Sequence, residues 1–133
     1  MKVCGIEISS NEAVVVVLEK TGDEIEMLNT SVKKITLSND EKQSAINSFK
    51  NVILNFLKDN DVENVAIKQR AQSGKFSGGA LSFKMEALIQ LYEKEVKIIN
   101  GSTINSKTKN LNLTKYKINK YQEEALKAAL AIL

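Results

Sequence analysis

The run Ala13-Val-Val-Val-Val-Leu-Glu19 constrains this chain more than any other stretch. Consecutive valines disfavour a helix and suit a strand, because a side chain branched at Cβ loses rotamer freedom in a helix and fits a pleated surface. An unbroken apolar run implies burial on both faces, hence a central strand. Just before it lies a second β-branched segment, Val3 to Ile8, joined to it through Ser9-Ser10-Asn11, which is turn chemistry. The alternation of a strand puts Val3, Gly5 and Glu7 of that segment on one face. Glu7 therefore arrives at the strand's end, where an acid makes a rigid platform for a metal ion.

A second turn, Thr21-Gly22-Asp23, leads to a third extended segment from Glu24 to Leu37, broken near Asn29. Three strands joined by short turns predict an antiparallel meander. The period then changes. Ser38-Asn39-Asp40-Glu41 has the form of a capping box, with Ser38 as N-cap, and Ile46, Phe49, Val52, Ile53, Phe56 and Leu57 follow at helical spacing toward Asp59-Asn60. Val62 to Gln69 reads as a fourth strand and 73–79 as a loop. Ala80 to Tyr92 reads as a helix with Leu81, Met85, Leu88 and Tyr92 on one face, and Val96 to Asn100 as a short fifth strand. A short helix after Ser102 is expected. The last helix, capped by Asn119 with Gln122, carries Ala125, Leu126, Ala129, Leu130 and Leu133, residues small enough for it to lie close to a sheet. The order β-β-β-α-β-α-β-α predicts an α/β domain over 1–133, with a mixed five-stranded sheet and helices on its faces.

Composition narrows the chemistry. The chain's 133 residues include no histidine, which removes histidine-based triads, haem ligation and nearly all zinc sites. The lone cysteine, Cys4, sits within an apolar strand, where an inert buried thiol is expected. Only carboxylates remain to hold a catalytic metal, which leaves magnesium, manganese or calcium; the enzyme reading implies magnesium or manganese, and a non-enzymatic reading implies no cofactor. No apolar run approaches a membrane span and no signal peptide is evident, so the expected location is the cytoplasm.

Charge is divided along the chain. Up to Glu63 there are seven lysines and eleven acids; from Asn64 onward there are twelve Lys or Arg and five Glu. Two segments of the basic half contain no acid. Asn64 to Met85 holds Lys68, Arg70, Lys75 and Lys84, and Val96 to Gln122 holds Lys97, Lys107, Lys109, Lys115, Lys117 and Lys120. Such a division marks either an anionic partner or a plain solvated basic surface.

The element order is the signature of the RNase-H-like fold. Three segments resemble the RuvC resolvase: Cys4-Gly-Ile-Glu7 is similar to its first strand, which ends in Gly-Ile-Asp; Val65-Ala-Ile-Lys-Gln69 to its Ile-Glu-Gln strand; and Ala128-Ala-Leu-Ala-Ile132 to the Asp-Ala-Leu-Ala-Ile of its final helix. Over nearly its whole length the chain also resembles a small bacterial family, domain of unknown function 3010, most tellingly in Gly74-Lys-Phe-Ser-Gly-Gly-Ala-Leu-Ser-Phe-Lys-Met-Glu-Ala87. In the RuvC-like enzymes three or four carboxylates hold two divalent metals. The resemblance implies that Glu7 keeps the first carboxylate, that Lys68 stands at the second acid and Ala128 at the third, and that Ala125 holds a further position acidic in RuvC.

Four readings follow. The first is a non-catalytic domain in which Glu7 and Lys68 form an ion pair in place of metals. The second is anion or nucleic-acid binding by Lys68, Arg70, Lys75, Gly78, Gly79 and Lys84 around a glycine-rich loop that opens a helix, with Phe76, Tyr116 and Tyr121 available to stack on bases. A third is a homodimer formed through Ala13–Glu19 or the final helix. A fourth is a metal-dependent nuclease or phosphotransferase using Glu7, held as a candidate metal ligand, with Glu123 or Glu124.

Overall fold

The computed structural model describes residues 1–70 and 79–133. The valine run lies in β2 (Glu12–Thr21), which pairs antiparallel with β1 (Lys2–Ser9) in the register Gly5 to Val16 and Glu7 to Val14. The turn between them holds Ser10 at φ 56°, a left-handed conformation that a short polar side chain tolerates. The third extended segment becomes two strands. Both β3 (Glu24–Met27) and β4 (Lys34–Thr36) pair with β2, the first near its end and the second near its start. Among the described residues the sheet therefore counts six strands, where the sequence predicts five. The break falls after Met27, as expected, and the chain stays tied to β2 across it, with Leu28 N–H donating to the Val17 carbonyl at 2.9 Å and Val15 N–H to the Lys33 carbonyl at 3.0 Å.

On the other side of β1 the sheet is parallel. β5 (Asn64–Lys68) pairs with β1, and β6 (Glu95–Ile99) with β5, giving the order β3-β2-β1-β5-β6. The helices α1 (Gln43–Asp59), α2 (Ala80–Ile89) and α3 (Gly101–Thr108) follow β4, β5 and β6 in turn, and α4 (Glu123–Ala131) closes the chain.

The capping box expected at Ser38 does not form. Asn39 Oδ1 instead accepts the Glu41 N–H at 2.9 Å, so the segment makes an Asx turn and α1 begins only at Gln43, with no side-chain cap. Asn119 and Gln122 do form a reciprocal box, around a 3-10 turn at Lys120–Gln122 that runs into α4. The short helix expected after Ser102 begins at Gly101, capped by Asn100, which accepts the Thr103 N–H at 2.9 Å.

Period-two alternation sorts the sheet's residues between two layers. Cys4, Ile6, Ala13, Val15, Val17, Val65 and Ile67 face the larger core, with Phe49 and Ile53 of α1 and Met85 and Ile89 of α2. Burial in that layer pushes the Cys4 thiol up to about 12, which makes it inert at neutral pH. Val3, Val14, Val16 and Leu18 face α4. The buried stripe of α2 runs through Ser82, Met85, Glu86 and Ile89, turned from the face expected; Leu81 and Leu88 are half-buried at its margin. The valine run and α4 are both interior, so the two surfaces expected to dimerise are already covered.

Gly5 decides how closely α4 approaches. A Cβ placed there would lie 1.9 Å from the Ala125 carbonyl oxygen and 2.6 Å from the Ala129 nitrogen. Strand backbone and helix backbone thus touch, as the small residues of the last helix predict, and this contact brings the first turn of α4 to the ends of β1 and β5.

Candidate functional site: a carboxylate–lysine cluster at the strand ends

The parallel register of β1 and β5 runs to Ile6 opposite Ile67. Glu7 and Lys68 follow one residue later, on the α4 side of the sheet by alternation. Glu124 in the first turn of α4 completes the group. Lys68 Nζ donates to Glu124 Oε1 at 2.6 Å; the two side chains are 27% and 30% exposed. Lys127, one turn along, lies 3.4 Å from Glu124 and 3.7 Å from Glu123. The stem of Lys68 runs beside the start of α3, where a Cβ on Gly101 would stand 3.6 Å from Lys68 Cε.

The expected Glu7–Lys68 ion pair is therefore not the one that forms: the lysine closes on Glu124. Glu7 remains within electrostatic reach of both. Its carboxyl is pushed above its ordinary value by burial, against the attraction of Lys68 and with the repulsion of Glu124. At Glu124 burial also pushes upward, but the hydrogen bond and charge of Lys68, with Lys127, outweigh it and hold the carboxyl below its ordinary value. Two carboxylates of one cluster are thus driven in opposite directions.

The donor set does not suit a pair of divalent metals. Among the described residues no three Asp, Glu, Cys or His side chains converge. The cluster offers Glu7 and Glu124, with an ammonium already in contact with the second. Ala128, at a position where the resemblance places an acid, is fully buried among Ala66, Ile104 and Ala131.

The residues expected to bind an anion are separated. Arg70 pairs with Glu86 of α2 at 2.6 Å, with side chains only 9% and 10% exposed, and its guanidinium lies 3.3 Å from the centre of the Phe83 ring. Lys84 donates to the Asp40 carbonyl at 2.7 Å and lies 3.4 Å from the Asp40 carboxylate. Gly79 precedes α2 as its N-cap. Lys75, Gly78 and Phe76 lie outside the described residues. Tyr116 is a core residue facing α4, whereas Tyr121 is exposed beneath Lys34, whose Nζ is 4.1 Å from the ring centre. The sequence reading missed Glu86, Asp40 and Lys127 as partners. Lys127 was legible from its helical spacing to Glu123 and Glu124; the other two pairings are long-range.

The second acid-free segment differs. Lys109, Lys115, Lys117 and Lys120 are exposed and have no carboxylate partner among the described residues. No described helix is long and apolar enough to cross a membrane.

Comparison with solved structures confirms the RNase-H-like fold. The chain superimposes on the Thermus thermophilus RuvC structure with a TM-score of 0.75 at 12% identity, covering 98% of this chain and 92% of that one. RuvC from the same organism in complex with a Holliday junction substrate matches with a TM-score of 0.72 at 12% identity, covering 98% and 91%. The yeast mitochondrial Holliday junction resolvase Ydc2 matches with a TM-score of 0.61 at 13% identity, covering 97% and 75%. No curated protein matches in sequence. The model of the family described as Protein of unknown function (DUF3010) matches residues 1–132, and the chain belongs to that family.

Proposed function

We propose that this chain is a nucleic-acid-binding domain that does not cut its ligand. The observation that carries the reading is the 2.6 Å contact between Lys68 and Glu124, which sets an ammonium among the carboxylates at the strand ends. Two-metal hydrolysis needs several carboxylates converging on two cations, and this donor set is too small and already charge-compensated. Binding is supported by the fold shared with a resolvase solved on a Holliday junction substrate, and by the exposed lysines at 109, 115, 117 and 120. These cations, rather than the paired Lys68, Arg70 and Lys84, are the ones free to meet phosphates.

Fluorescence anisotropy with labelled four-way junction, duplex and single-stranded DNA and RNA, in EDTA, tests the binding. Affinity should fall with salt at a log–log slope of about −0.9 for each phosphate contacted on duplex, so about −3 to −4 if all four lysines engage. Replacing the four lysines with glutamine should flatten that slope. No binding at low salt, or binding indifferent to salt, removes this half of the proposal. Incubation of the same substrates with magnesium or manganese should leave them intact; cleavage that disappears in Glu7→Gln would establish an enzyme instead.

A further inference from the structure

Where β1, β5 and α4 converge, Lys68 and Lys127 both pair with Glu124, and Glu7 stands within electrostatic reach of Lys68 and Glu124. The four charges cancel. Glu123 reaches the group only through Lys127, from a position nearly half exposed. Lys68 is held rather than loosely placed: its Nζ is bound at 2.6 Å and its stem lies against the start of α3. A dication entering between the two glutamates would meet a cluster that is already neutral and would have to break the Lys68 contact.

We propose that Lys68 is the resident cation of this site, so that the protein binds no divalent metal there, and that removing its charge opens a divalent-cation site between Glu7 and Glu124. The ligands would be hard carboxylate oxygens completed by water, which suits manganese or magnesium. This inference deepens the non-cleaving half of the proposed function; anisotropy in EDTA reads the nucleic-acid half separately, so either can fail alone.

The test is manganese binding followed by electron paramagnetic resonance, with circular dichroism to confirm folding. Lys68→Gln should bind manganese at least about tenfold more tightly than the wild-type chain, because ligand charge is no longer cancelled. The gain should vanish in the double variant Lys68→Gln with Glu7→Gln. A folded Lys68→Gln that gains nothing overturns the proposal, as does a gain that survives loss of Glu7. If Lys68→Gln does not fold, the wild-type chain decides: its Glu7 and Glu124 side-chain NMR signals should stay sharp in millimolar manganese, and selective broadening of both overturns the proposal.

Discussion

At the end of β5 and two residues beyond it lie two ion pairs of the same length and different character. Lys68 reaches across to α4 and Arg70 to α2, each at 2.6 Å from a glutamate oxygen. Arg70 and Glu86 are about nine-tenths buried, whereas Lys68 and Glu124 are nearly a third open to water. Distance alone would rank them equal. Burial separates them: a desolvated charge stripped of its partner is left uncompensated, while an exposed one is re-solvated. The inner pair fastens α2 beside the end of β5, and the outer pair stays open to water.

The largest effect should come from breaking the inner pair. Arg70→Met leaves the Glu86 carboxylate buried without its cation and should cost about 3–5 kcal/mol, measured by urea unfolding. Adding Glu86→Leu should recover most of it; no recovery would mean that Arg70 acts through Phe83 rather than through the charge. Gly5→Ala attacks the outer pair from beneath. Its new methyl group would push α4 off β1, costing about 3 kcal/mol, the upper end for overpacking. It should also part Lys68 from Glu124 while leaving Arg70 on Glu86, a difference visible in a crystal structure of the variant.

Lys68→Met should cost only about 0.5–1 kcal/mol at neutral pH. Because the folded Glu124 carboxyl lies below its ordinary value, this contribution is present at neutral pH and is lost as pH falls through the folded value. The difference in stability between wild type and Lys68→Met should therefore disappear in acid; a difference that persists would assign the effect to packing of the lysine stem.

The smallest effect has the opposite sign. Glu7 is raised in the folded state, so the folded chain holds the proton more tightly than the unfolded one, and the carboxyl destabilises as pH rises from 4.5 through the folded value. Glu7→Gln should raise stability at neutral pH by a few tenths of a kcal/mol, limited by partial exposure. The gain should be absent below the ordinary carboxyl range. Destabilisation by this substitution at pH 7 would show that the Glu7 charge supports the cluster.

Much of this arrangement was legible in the sequence. Valines 14–17 announced a central strand, and the small residues of the last helix announced its close approach to the sheet; that Gly5 is the residue it meets came only from the structure. The alternation of β1 put Val3, Gly5 and Glu7 on one face; that this face receives α4 and also carries Lys68 came from the structure. The Lys68 partner was not legible, because Glu7, Glu123 and Glu124 are all plausible until the phase of α4 is known. Glu86 was missed because an acid among Ser82, Met85 and Ile89 reads as the polar margin of a helix until Arg70 is found against it.

The sequence by itself determined the element order apart from the division of the third extended segment into β3 and β4, together with the alternation of β1 and the small residues that let α4 lie close to the sheet, because these follow from periodicity and volume along the chain. Only the tertiary structure decided which charges meet. Ion pairing between residues 16 and 56 positions apart depends on the phase of each helix and the register of each strand, and one residue's rotation, about 100° in a helix, is enough to exchange one partner for another.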